Sequence, residues 1–210
     1  MENKIKVVGT GPGSGRYITP IALEAIAGAD ILVGGQRLLD VFAGEGQIQF
    51  PLGRDLQQAL AFINEHRENK RVAVLVSGDT GIYSFADYLS RHMDNDFLEF
   101  IPGISSVQLM FARLKKSWHD ALILSMHGRK ADGLAEQIKD AAVTAILTGE
   151  PWTPRKIAQY LLENNIDDLE TAMGQNLSYD DERIIFTSLQ KIAEDDNNYD
   201  NSIMVIFNER

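Results

Sequence analysis

Short apolar runs alternate with stripes of helical period along the first half of the chain. Ile5–Val8 is a run of strand length that leads into Gly9-Thr10-Gly11-Pro12-Gly13-Ser14-Gly15. Thr19 stands as an N-cap ahead of Pro20, with Ile21, Ala22, Ala25 and Ile26 on one helical face and Gly28 as the stop. Ile31-Leu32-Val33 predicts a second strand, closed by Gly34-Gly35. Leu56, Ala59, Leu60 and Ile63 recur at the period of a helix with one buried stripe. Val72–Val76 is unbroken apolar sequence, the pattern of a parallel strand covered on both faces. Ile82, Phe85, Ala86 and Leu89 repeat the helical stripe, and Phe97–Ile101 gives another strand stopped by Pro102-Gly103. This alternation predicts a parallel sheet with crossover helices.

The rhythm changes in the second half. Ala121–Ser125 and Val143–Leu147 are strand-like with a polar helix between them, and a helix carrying Ile157, Tyr160 and Leu161 follows. Leu169–Met173, Glu182–Thr187 and Ser202–Phe207 then succeed one another with a single short helical stretch among them. Strands following strands predict a mixed or antiparallel sheet. The division falls at about residue 115, giving domains 1–115 and 116–210. The acidic stretch Glu194-Asp195-Asp196-Asn197-Asn198 reads as a solvated turn.

Composition narrows the function classes. A chain of 210 residues with 44% hydrophobic and 24% charged positions is globular and long enough for two cores. The absence of cysteine excludes disulfides, Cys-ligated zinc, iron–sulfur clusters and thiol nucleophiles. A net charge of −10 repels phosphate backbones and anionic lipid, so neither nucleic acid nor a membrane surface is an expected partner. No apolar run approaches the roughly 18 residues of a membrane span, and the opening residues do not resemble a signal peptide. The expected location is the cytoplasm.

Candidate chemistry lies in the loops. The first glycine loop fails the dinucleotide fingerprint: Ser14 stands at the third glycine position, and Pro12 removes an N–H that a phosphate cradle uses. No acidic residue closes the second strand, and no glycine is followed by Lys and then Ser or Thr. Three further loops, Gly34-Gly35-Gln36-Arg37, Ser77-Gly78-Asp79-Thr80-Gly81 and Pro102-Gly103-Ile104-Ser105-Ser106, follow strands or open helices. In a parallel sheet they gather at the carboxyl edge, where open α/β folds bind ligands. Each alone reads more readily as a turn than as a site; four on one edge predict a ligand cleft. His66, His92, His119 and His127 lack metal-ligand spacing, so no protein-bound metal is expected. Met126-His127-Gly128-Arg129 places His127 and Arg129 on a glycine-hinged turn after an apolar strand. A site with so few acids and bases suits chemistry carried by an activated cofactor, and no catalytic base is assigned.

Taken in order, Gly9-Thr10-Gly11-Pro12-Gly13, Ser77-Gly78-Asp79 and Pro102-Gly103-Ile104-Ser105-Ser106 resemble the tetrapyrrole methylase family, with a likeness running from Val7 to about Phe207. Val33 to Leu39, Pro102 to Gln108, Ser125 to Arg129, Asn176-Leu177-Ser178 and Asp181 to Ile184 look like the branch that methylates carbon 5 of a precorrin or cobalt-precorrin ring on the route to cobalamin. The resemblance implies a two-domain α/β fold, with a parallel βα N-terminal domain, a mixed-sheet C-terminal domain and the active site in the cleft between them. It implies S-adenosylmethionine as methyl donor, held by Pro12, Gly78, Asp79, Tyr83, Ser105 and Ser106 from the first half. Thr148 and Ala172, at the ends of second-domain strands, would reach it from the other side. Arg37, His127 and Arg129 would meet the ring's carboxylates; Arg16, Arg113, Lys115, Lys116 and Lys130 also lie in or near the loops and could widen a basic rim, although Lys115-Lys116 reads more readily as solvated linker charge. A homodimer is also implied, as is a separate protein for methylation and decarboxylation at carbon 15, because fused relatives carry an additional domain for that step. Ser14 replaces the family's Asp, and Thr80 replaces its Pro. A family member acting at another ring carbon, a non-catalytic nucleotide-binding module and a structural partner of an active chain stay open as alternatives.

Overall fold

A strand that is apolar on both faces must be covered on both, and the first half of the chain meets that demand with helices on either side of one sheet. The computed structural model describes residues 4–128, 131–197 and 199–208. The chain divides between Ser105 and Ser106 into two units. In the first, β1 (Ile5–Gly9), β2 (Ile31–Gly34), β3 (Ile48–Pro51), β4 (Val72–Val76) and β5 (Leu98–Ile101) form a parallel sheet in the order β3-β2-β4-β1-β5. Every residue of β4 is buried.

Two helices cover each face. On α1 (Pro20–Ala27) and α2 (Gln36–Phe42), Ala22, Ala25, Ile26 and Leu39 pack with Val8, Leu32, Ala73 and Leu75. On α3 (Leu56–His66) and α4 (Phe85–His92), Ala59, Ile63, Phe85 and Leu89 pack with Val7, Val33 and Val74. The Thr19 hydroxyl accepts the Ala22 N–H at 3.3 Å, the cap expected ahead of Pro20. Two stripe positions differ from expectation. Ile21 is 55% exposed, because the buried stripe of α1 is only as wide as Ala22, Ala25 and Ile26. Ile82 precedes α4, which begins after its Ser84 cap. The pattern did not announce α2 or β3; β3 is a four-residue edge strand that is mostly exposed.

The second unit contains α5 (Ser106–Leu114), β6 (Leu122–Ser125), α6 (Leu134–Asp140), β7 (Val143–Leu147), α7 (Pro154–Glu163), β8 (Glu170–Gln175), β9 (Arg183–Ser188), α8 (Leu189–Glu194) and β10 (Ser202–Phe207). Its sheet runs β6-β7-β10-β8-β9; β6 and β7 are parallel and the other pairs antiparallel, so the sheet is mixed. Leu134, Ile138, Ile157, Leu161, Leu189 and Ile192 of α6, α7 and α8 bury one face against Ile146, Met173, Met204 and Ile206. The other face takes α5: Met110 Sδ lies 2.6 Å from where a Cβ on Gly174 would stand. That contact is why α5 packs with the second unit, whereas a division at residue 115 assigns it to the first.

The acidic stretch is more than a solvated turn. Arg155 of α7 holds the Asp196 carboxylate and the Ala193 carbonyl, and the Tyr199 hydroxyl donates to Asp195. Among the described residues no helix is long and apolar enough to cross a membrane.

Candidate functional site

In the first unit the carboxyl ends of β1, β2, β4 and β5 share one edge, as the pairs Gly9↔Val76, Val8↔Ile101 and Gly34↔Leu75 show. Thr10 extends the ladder, with both its N–H and its hydroxyl donating to the Val76 carbonyl at 2.9 and 3.0 Å. Gly11 and Gly78 then exchange backbone hydrogen bonds of 3.1 and 2.8 Å. Gly9, Gly78 and Gly103 crowd together. A Cβ on Gly103 would lie 2.2 Å from the Gly78 oxygen and 2.7 Å from the Gly9 carbonyl carbon, and one on Gly9 would lie 2.6 Å from the Gly103 nitrogen. The sequence suggests that glycines in these loops admit a ligand; at Gly9 and Gly103 they admit neighbouring backbone.

Asp79 ties these loops into one body. One carboxylate oxygen accepts the Gly81 N–H at 2.8 Å and the other the Gly103 N–H at 3.0 Å. Gly78, at φ +71°, supplies the left-handed turn that aims Asp79 across. The Ser84 hydroxyl donates to the Thr80 carbonyl at 2.6 Å and also caps α4. Between them Tyr83 is held at φ 47° while 44% exposed. A bulky side chain in that region is strained, and strain of this kind collects at binding sites. Pro12, Gly78 and Ser105 are buried, whereas Asp79, Ser106 and Tyr83 keep accessible surface. Arg37 is exposed in the first turn of α2. Ser14, in place of the family's Asp, accepts the Arg16 N–H at 3.3 Å in a 3-10 turn over Gly15–Tyr17.

The second unit has its own loop edge. Ser125↔Leu147 ends the parallel pair β6 and β7, Ile203↔Leu147 brings in the start of β10, and Gln175↔Ser202 the end of β8. The Thr148 hydroxyl donates to the Ser202 carbonyl and lies 2.8 Å from the Ser202 hydroxyl, which in turn donates to the Tyr199 carbonyl at 2.6 Å. The His127 ring stands against Gly149, where a Cβ would lie 2.1 Å from its Nδ1, and the Gly128 N–H donates to the Glu150 carbonyl at 3.3 Å. Thr148, Gly149, Thr153 and Tyr199 line a depression of about 50 Å³, room for a few waters only. Among the described residues no group of three or more His, Asp or Glu could hold a metal ion.

Two expectations change here. Ala172 is not at a strand end: it is the third of six residues in β8, 0% exposed and paired with both Val205 and Phe186. Arg113 does not join a basic rim, because its guanidinium holds both oxygens of Glu182 at 2.6 and 3.3 Å. Lys116 stands 4.5 Å from the centre of the Phe207 ring. Arg129 and Lys130 lie outside the described residues.

Residues 4–193 match the family model of the tetrapyrrole (corrin/porphyrin) methylases. The chain belongs to this family. A relative from Salmonella typhimurium, the cobalt-precorrin-7 C(5)-methyltransferase, is 34% identical over 98% of this chain and 100% of its own length. Among solved structures, the precorrin-6Y methylase of Archaeoglobus fulgidus superposes with a TM-score of 0.75 at 22% identity, covering 99% of each chain. A uroporphyrin-III C-methyl transferase from Thermus thermophilus in complex with S-adenyl homocysteine gives 0.76 at 20% identity, covering 97% of this chain and 92% of its own. Both structures show the fold.

A methylase needs a held donor and an oriented acceptor rather than a nucleophile of its own. The first unit offers a rigid loop edge. Its loops are locked to one another through Asp79 and the glycine contacts, and a strained, accessible tyrosine stands in the same segment. Of the residues named from the sequence, Pro12, Gly78, Asp79 and Ser105 come together in these linked loops, with Tyr83 in the segment after Asp79; Ser106 opens α5 in the second unit. Sequence reading missed Thr10, Ser202 and Glu182. Thr10 sits inside a motif dominated by glycine, while the partners of Ser202 and Glu182 lie 54 and 69 residues away, beyond any local signal.

Proposed function

We propose that this chain transfers a methyl group from S-adenosylmethionine to carbon 5 of a precorrin or cobalt-precorrin ring. The observation that carries the reading is the likeness to the Salmonella C(5)-methyltransferase over 98% of this chain and all of that protein. A bound S-adenosylmethionine supplies an electrophilic methyl on sulfur, and the acceptor is an enamine-like ring carbon. The protein's part is then to bind, align and exclude water.

In this reading Asp79, Ser106 and Tyr83 present the polar surface that meets the donor, over a base of Pro12, Gly78 and Ser105. Asp79 acts mainly by keeping its loop and the 102–106 loop in register, since both of its oxygens already accept backbone N–H groups. Thr148 keeps a role in donor binding, whereas Ala172, inside β8, has no exposed surface to offer. Arg37 and Arg129 meet the ring carboxylates as local cations, and His127 as a hydrogen-bonding partner, on a chain of net charge −10. The enzyme works as a homodimer in the cytoplasm, and a separate protein acts at carbon 15; the name of the Salmonella relative specifies carbon 5 alone, which supports that division.

The test is incubation with methyl-labelled S-adenosylmethionine and a panel of precorrins, followed by location of the label on the ring. One added methyl at carbon 5 with carbon dioxide retained is expected. Label at another carbon, or a doubly methylated and decarboxylated product from pure protein, overturns the reading.

A further inference from the structure

Between β8 and β9 the chain makes a loop, residues 176–182, held in place by polar side chains. Asn176 and Ser178 have φ of 48° and 77°, and the facing Asn201 has φ of 50°. Asn visits this region readily, but Ser178 does not, and its neighbours hold it there. The Asn176 N–H donates to the Asn201 carbonyl, and the Asn201 amide donates to Asn176 Oδ1, both at 3.1 Å. The Asn176 amide donates to Asp181 at 2.7 Å. Leu177 is buried and converges with Met110 of α5 over Gly174. At the rim Arg113, also on α5, grips Glu182, whose second oxygen takes the Ser178 N–H at 2.7 Å.

The charge pattern is the telling feature. The loop contains Asp180, Asp181 and Glu182, a poor surface to offer a ring fringed with carboxylates. Two of these acids are occupied internally, Asp181 by an amide and Glu182 by a guanidinium and a backbone N–H. Ser178 and Tyr179 meanwhile retain accessible surface beside the edge that carries Thr148 and Ser202.

We propose that Arg113 and Glu182 are a positioning pair that fixes loop 176–182, neutralises its acidic end and so permits recognition of the anionic ring. The proposal rests on the carbon-5 methylation reading. Neither residue touches the reacting atoms; the pair acts through Ser178 and the backbone beside it.

Glu182→Gln and Arg113→Gln test it in the full-length enzyme, with Arg113→Lys as the conservative variant. Arg113→Gln, which loosens the loop and uncovers the Glu182 charge, should raise KM for the ring by about tenfold, and Glu182→Gln, which loosens the loop but removes an acid, by about threefold, while kcat and the calorimetric affinity for S-adenosylmethionine stay within about twofold. Arg113→Lys should recover part of the loss, since it keeps the charge but not the planar fork. An unchanged KM in folded variants overturns the pair. So does a parallel fall in KM performance, donor affinity and melting temperature, which marks a purely structural bridge. If the wild type methylates no ring, the carbon-5 reading fails and the pair's role fails with it; wild-type turnover with unmoved KM removes the pair alone.

Discussion

The two loop edges of this protein are built by different means. In the first unit backbone packs on backbone: Gly9 and Gly103 let strand ends and loops approach within distances no side chain tolerates, Gly78 makes the left-handed turn against them, and a single carboxylate, Asp79, ties the loops together. In the second unit side chains build the edge: Thr148 on Ser202, His127 on Gly149, Asn176 on Asn201 and Arg113 on Glu182. The contrast follows from the sheets. A buried parallel sheet ends in loops that must turn at once into helices across a crowded edge, which favours glycine. A mixed sheet with an exposed edge strand leaves room for longer loops, which hydrogen-bonding side chains must then hold.

The sharpest way to break this comparison is to place one methyl group in each unit, at the first unit's loop edge and in β8 of the second. Gly103→Ala drives a Cβ against three backbone atoms that cannot yield, and should cost about 3 kcal/mol or more in urea unfolding. Gly174→Ala meets only side-chain ends, Met110 Sδ foremost, and should cost about 1 kcal/mol, because an unbranched thioether repacks. Equal losses at the two positions would erase the distinction.

Asp79→Ala should follow in size, at about 2 kcal/mol, by leaving the Gly81 and Gly103 N–H groups without their acceptor. Calorimetric titration should show weaker S-adenosylmethionine binding in the same variant, since the 77–81 and 102–106 loops then separate. Asp79→Asn, which retains one acceptor, should fall between the variant and wild type. On the other edge, Thr148→Val removes a hydroxyl that donates to Ser202 and should cost about 1 kcal/mol, measured in the same way.

The smallest expected effect is electrostatic. The Arg71 side chain and N–H hold the Asp30 carboxyl well below the usual carboxylate range, and hydrogen bonds from Arg113 and the Ser178 N–H lower Glu182 against the opposing effect of burial. A carboxylate depressed in the folded state contributes stability that is present above its unfolded pKa and lost as pH falls through its folded pKa. Urea midpoints measured downward from pH 5 should therefore decline, and Asp30→Asn and Glu182→Gln should each flatten part of that decline. Asp30 should contribute modestly, because its bridge to Arg71 is largely solvated.

How legible each edge was in the sequence follows from the same contrast. The 9–13, 77–81 and 102–106 motifs are contiguous, and the structure brings Pro12, Gly78, Asp79 and Ser105 together from them. In the second unit Thr148 was found beside the edge, but Ala172 was misplaced by reading Leu169–Met173 as the whole strand, when β8 runs on to Gln175. Arg113 was read as a free rim charge because nothing near it in sequence announces Glu182.

Local pattern determined the strand and helix periods, the Thr19 cap, the parallel first sheet and the mixed second one, because each depends on neighbours within a turn or a strand. Tertiary structure alone decided that Gly9 and Gly103 serve chain packing, that α5 packs on the second sheet through Met110, that Ile21 faces solvent and that Arg113 is committed to Glu182. Each of these is a choice of partner from distant parts of the chain, made where burial and hydrogen-bond satisfaction are settled for the whole unit at once, and no periodicity in the sequence records it.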